Sequence, residues 1–164
     1  MEGAGELIRH EPVEHGVIYS PRNEALFYAA SRPDSPYTVT VPFGKAGLLR
    51  GNVFVHNHPR NESFSEADIL ILLRHGAREV HVYGPERAFR MVAGKSARRF
   101  DYTENDMAEA EIRVRYRQAV QAVAEKFERV AQARMLTDEE AWAALTHNVV
   151  RKMSAHFRFA YEEI

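Results

Sequence analysis

The stretch HNHPRNESFSEAD, residues 56–68, begins at the end of an apolar run opened by Val53 and runs straight into ADILILLRHG, residues 67–76. A short β-branched run of this kind reads as a strand, on which His56 and His58 project from one face while Asn57 points away. Pro59 ends the strand. Ser65, with Asp68 three positions later, has the pattern of a helix N-cap, and Gly76 suits a left-handed helix end. With REVHVYG at 78–84 following as another strand, the region reads as strand, helix, strand. That order favours a mixed sheet packed against helices over a bundle or a sandwich.

Upstream, HGVIY at 15–19 and EALFYAA at 24–30 flank the turn-like SPRN and predict a hairpin. After a Pro-rich loop, the alternating YTVTV at 37–41 predicts a further strand. Downstream, ERAFRMVAG at 86–94 predicts a strand after the Gly84-Pro85 turn. Beyond Phe100 the character changes. Residues 103–134 carry Ile112, Tyr116, Ala119, Val123, Phe127 and Val130 at helical spacing. A second helix is predicted from Thr137, capped by Glu140, with the stripe Trp142, Leu145, Val149, Met153 and Phe157. The expected organisation is an α/β (α+β) domain over residues 1–100 and a C-terminal helical hairpin over 101–164, through which a second copy or a partner could dock.

Twenty-two basic and twenty-three acidic residues give a formal charge of -1 over 164 residues. This balance offers no electrostatic footprint for nucleic acid or an anionic membrane. No apolar run approaches the length of a membrane span, and the N-terminus lacks the pattern of a signal peptide, so a cytoplasmic protein is expected. The chain has no cysteine, so disulfides and thiolate zinc sites are excluded and any metal must be held by nitrogen and oxygen.

His56, His58 and Asp68 are therefore the expected ligands of one zinc ion. Two imidazoles and a carboxylate leave the fourth tetrahedral position open, the arrangement of catalytic rather than structural zinc. Ser65 could cap the helix and also present its hydroxyl to a reacting oxyanion. Each residue has a plain structural explanation too, since His-X-His occurs on strands and Ser65 with Asp68 forms a capping pair. His81 reads as a packed strand residue, His75 as a helix C-terminal one, and His147 and His156 are too far apart along a helix to share an ion. The arginines between 87 and 99 read as a solvated strand edge.

These residues resemble the motif of the JAB/MPN, or JAMM, metalloprotease family: His-X-His-Pro, then Ser-X-X-Asp. The likeness covers about residues 10 to 95, and the His-Asn-His-Pro version is most similar to the bacterial and phage branch that includes RadC-like proteins. The nine residues from Pro59 to Ala67 are one fewer than the family's usual interval. The resemblance implies a cytidine-deaminase-like core, a zinc-activated water, a peptide or isopeptide bond as target, and a protein or ubiquitin-like substrate. It also implies a general-base glutamate upstream. Glu14, just before HGVIY, is favoured; Glu24 is the alternative and Glu11 a weaker third. The competing expectation is a non-catalytic JAB-fold binding or assembly module in a phage or DNA-maintenance context. A nucleobase deaminase is disfavoured because its cysteine pair is missing, and an HNH nuclease because that name describes dispersed residues rather than a literal tripeptide.

Overall fold

The computed structural model describes residues 2–97, 105–134 and 136–164. Ten helices and strands follow one another among them: α1 (Glu2–Ile8), β1 (His15–Tyr19), β2 (Ala25–Ala30), β3 (Val53–Asn57), α2 (Glu66–Leu73), β4 (Glu79–Tyr83), β5 (Ala88–Val92), α3 (Asn105–Arg134), α4 (Asp138–Phe157) and β6 (Ala160–Glu163). A 3₁₀ turn at Phe43–Leu49 precedes β3. The six strands form one sheet in the order β2-β1-β3-β4-β5-β6. Only β3 and β4 pair in parallel. Their connection passes through α2, as a parallel pair requires.

Alternation along β3 decides what each face of the sheet carries. Phe54 and His56 face one way; Val53, Val55 and Asn57 face the other. The second face carries a small cluster of Val53, Val55, Tyr83 and Ala88. It is covered by α1, whose Gly5 lies so close that an added Cβ would come within 2.2 Å of the Tyr83 ring. The first face carries the main core, where Phe54, Val80, Val82, Phe89 and Met91 meet Ile69, Leu72 and Leu73 of α2. Ile112, Ala119 and Val123 of α3 and Val149, Val150, Met153 and Phe157 of α4 belong to that same core. Burying some two dozen apolar side chains, at roughly 1.5–3 kcal/mol each, is the main favourable term against chain entropy.

The capping predictions at both helices correspond to the structure. Ser65 and Asp68 form a reciprocal capping box on α2, and Thr137 and Glu140 form one on α4. Gly76 takes a φ of 72° just beyond α2, where a side chain would be strained. The long helices fold back on one another, with Glu111 beside His156 and Lys126 near Asn148. Their stripes join the main core, apart from Phe127, which lines a groove between the two helices, and Trp142, which is 49% exposed. The expected Val130 position lies outside the described side chains.

Three features depart from the expectations. Residues 37–41 are not a strand but a turn and irregular segment that lies against Glu14 and Gly16. Pro36 and Pro42 bracket the segment and cannot donate to a ladder, and the Val39 N–H is taken by the Glu14 carboxylate. Its alternating valines, Val39 and Val41, pack on the main core instead. The helix α1 and the strand β6 were not anticipated. β6 pairs antiparallel with β5, Met91 opposite Tyr161 and Val92 opposite Ala160. The residues after 100 thus extend the sheet that begins before it. Among the described residues, no helix is long and apolar enough to cross a membrane.

Candidate metal centre

The register of β1 against β3 sets Gly16 opposite His56, so Glu14, two residues earlier, falls beside His58. Gly16 is needed there. A Cβ on it would meet the Phe54 ring at 2.9 Å and Val39 at 3.1 Å, pushing the 37–41 segment off the site. His56 stacks on Phe54 with ring centroids 4.8 Å apart. From the other side, α2 presents Asp68 in its first turn, where a carboxylate is favoured by the helix dipole.

Four buried side chains converge: Glu14, His56, His58 and Asp68. His56 Nε2 lies 3.1 Å from His58 Nε2 and 3.0 Å from Asp68 Oδ1. His58 Nε2 lies 3.3 Å from Glu14 Oε1 and 3.7 Å from Asp68 Oδ2. Donor atoms of Glu14, His56 and His58 all fall within 4.8 Å of one another, so this group can hold a metal ion. The spacing fits one: bonds of about 2.0 Å at tetrahedral angles put neighbouring donor atoms about 3.3 Å apart.

Each carboxylate is tethered by one oxygen and leaves the other for the imidazole pair. Asp68 Oδ2 accepts from the Ser65 N–H and Oγ–H, both at 2.7 Å. Glu14 Oε2 accepts from the Val39 N–H at 2.6 Å. Their protonation diverges. Burial drives the Glu14 pKa up to about 7, only partly countered by His56. Burial would raise Asp68 also, but the adjacent His56 and the hydrogen bonds it receives hold that carboxyl well below the usual range. Burial opposes charge on His56, yet Asp68 and Glu14 outweigh it and raise the pKa. His58, desolvated and next to His56, falls to about 4. It is a neutral imidazole whose Nδ1 faces the Glu62 carbonyl at 3.4 Å. A proton on Nδ1, toward that carbonyl, leaves the Nε2 lone pair directed into the cluster beside His56 Nε2, and with His58 neutral the contact to Glu14 is not a full ion pair.

The structure thus brings Glu14, His56, His58, Ser65 and Asp68 together. Glu24 is elsewhere: it lies exposed in the β1–β2 turn, bonded to Ser20. Glu11 is also outside, its carboxylate 3.9 Å from His15. Ser65 lines the cleft, with its hydroxyl hydrogen on Asp68.

One contributor was passed over in the sequence. Asn57, fully buried on the opposite face, accepts from the His15 N–H at 2.6 Å and donates to the carbonyls of Val13 at 3.1 Å and Glu11 at 3.3 Å. It clamps the segment that carries Glu14. A polar residue closing an apolar strand was the available signal, because a buried amide demands partners. The cleft above the cluster has a volume of about 380 Å³. At its mouth, Arg60 lies over the Tyr37 ring at 4.5 Å, and Arg113 pairs with Glu66.

No family model, curated protein or solved structure matches this chain.

Proposed function

We propose that the chain is a zinc-dependent hydrolase of a peptide or isopeptide bond, built on a JAB/MPN-type core. The observation that carries the reading is the convergence of Glu14, His56 and His58, whose donor atoms lie within 4.8 Å of one another, with Asp68 3.0 Å from His56; burial pushes the Glu14 carboxyl up to about 7 while the imidazoles hold Asp68 ionised. Paired groups whose surroundings push their pKa values apart commonly divide into ligand and acid–base roles.

His56, His58 and Asp68 would hold the ion; a coordinated zinc lowers the pKa of water towards roughly 7 and polarises a carbonyl. His58 needs no deprotonation to serve as a ligand, and Asp68 is ionised across the working range. Glu14 Oε1, with Oε2 anchored on Val39, takes the proton of the attacking water and returns it to the leaving amine. Ser65 keeps Asp68 in place, and its hydroxyl can support the oxyanion by turning from Asp68 into the cleft. The bond type rests on the resemblance of the motif rather than on geometry, since water activation also serves other amide hydrolyses.

The deciding experiment is zinc-dependent cleavage of ubiquitin-like fusions and peptide libraries by wild type and by Glu14→Gln, with metal content measured in parallel. Loss of cleavage with zinc retained supports the assignment. Loss of zinc in Glu14→Gln would make Glu14 a ligand instead of the base.

A further inference from the structure

Of the proposed ligands, Asp68 is set by α2 and His58, one residue beyond β3, is held by its N–H on the Tyr83 carbonyl, but the loop between them has no secondary structure of its own. What holds that loop comes from the far end of the chain. The Ser63 N–H donates to Thr146 Oγ1 of α4 at 3.2 Å, and the Thr146 hydroxyl in turn donates to the Ala143 carbonyl at 3.0 Å. Ser63 Oγ is 2.8 Å from the hydroxyl of Tyr161 on β6, and that hydroxyl is 2.7 Å from His147 Nδ1 on α4. The next residue, Phe64, is fully buried and meets the Tyr161 ring edge to face at 6.0 Å. On the other side of Ser63, the Glu62 carbonyl faces His58 Nδ1. A continuous chain of contacts therefore runs from β6 and α4 through Ser63 and Glu62 to a proposed ligand.

We propose that Thr146 and Tyr161 are positioning residues for the metal centre: through Ser63 they fix the loop carbonyl that orients His58. The inference rests on the metal-site reading above and adds a role for α4 and β6 beyond completing the core and the sheet. Ser63 and Thr146 are buried at 1% and 5% exposure, so neither polar group could find water if its partner were lost. The loop would have to move. A shift of the loop at Glu62 and Ser63 turns the His58 ring, because the ring is bonded to the loop backbone at both residues. Partners that orient a ligand typically matter by about 10- to 100-fold in metal affinity.

The test measures zinc affinity by chelator competition, and amide exchange in zinc-free protein, for wild type, Tyr161→Phe and Thr146→Val. The control is Arg90→Gln, which breaks the Arg90–Glu162 pair between β5 and β6 on the sheet face away from the cluster. Tyr161→Phe and Thr146→Val should each weaken zinc binding at least about fivefold and speed exchange at residues 59–64. Arg90→Gln should change neither, even where its melting temperature falls as far. Unchanged affinity in Tyr161→Phe overturns the proposal. So does weakening in all three variants in proportion to lost stability, which would reduce the contacts to packing alone. Wild type that binds no zinc, with His58→Ala indistinguishable from it, would overturn the metal reading itself and so is a separate failure.

Discussion

Glu14 Oε1 stands 3.3 Å from His58 Nε2, held there because β1 and β3 pair with Gly16 opposite His56. The carboxylate that the structure keeps nearest neutrality is thus placed against the imidazole that it keeps uncharged. This pairing separates Glu14 from Glu24, whose turn position leaves it exposed.

Activity should follow that placement. Glu14→Gln is expected to retain zinc and lose at least about two orders of magnitude in kcat/KM on any cleavable substrate, the usual scale of general acid–base catalysis. Glu24→Gln should match wild type. Steady-state kinetics with metal analysis checks both, and a collapse at Glu24 with survival at Glu14 would reverse the assignment.

Metal binding should be stoichiometric and linked to protons. Purified protein is expected to take up about one zinc per chain, with His58→Ala or Asp68→Ala weakening it strongly. Since the surroundings of His56 favour its protonated form, zinc binding is expected to be coupled to loss of a proton there. Calorimetry at pH 7 in buffers of different ionisation enthalpy should report release of up to about one proton per ion. Full occupancy in the double variant His58→Ala, Asp68→Ala would remove the site.

The zinc-free protein should show the cost of burying Glu14. Its pKa rises from 4.5 to about 7 on folding, so the stability it contributes is complete below about pH 4.5 and is lost as pH climbs through 7. Urea midpoints of zinc-free wild type and Glu14→Gln, compared at pH 5 and pH 8, should move against wild type at the higher pH. The expected difference is on the order of 2 kcal/mol. Parallel behaviour of the two proteins would show that Glu14 is solvated.

Asn57 should matter more than its place between two histidines suggests. Asn57→Ala leaves the His15 N–H and the Val13 carbonyl unpaired, at a cost of about 1–3 kcal/mol for a buried group. Zinc binding through His56, His58 and Asp68 should fall little, while hydrolysis drops because the segment carrying Glu14 is released. Equal loss of metal and activity would assign Asn57 to β3 itself.

Much of this protein was legible along the chain because its signals are local. The hairpin of β1 and β2, the strand ending at His56, the Ser65–Asp68 capping box and the two long amphipathic helices each announce themselves within a few residues, where side-chain period and turn chemistry operate. The pair His56 and His58 was readable for the same reason, as period-two alternation puts them on one face. What only tertiary structure decided depends on who pairs with whom. YTVTV has a strand's alternation, yet the Val39 N–H goes to Glu14 instead of a ladder. β6 is too short to be recognised alone and exists because β5 offers an edge. That Glu14 rather than Glu24 reaches the cluster follows from the β1–β3 register, and the clamp of Asn57 and the grip of Tyr161 on Ser63 join residues far apart in sequence. Such contacts leave no local periodicity, because the free energy that selects them is the burial and hydrogen-bond satisfaction of the folded chain.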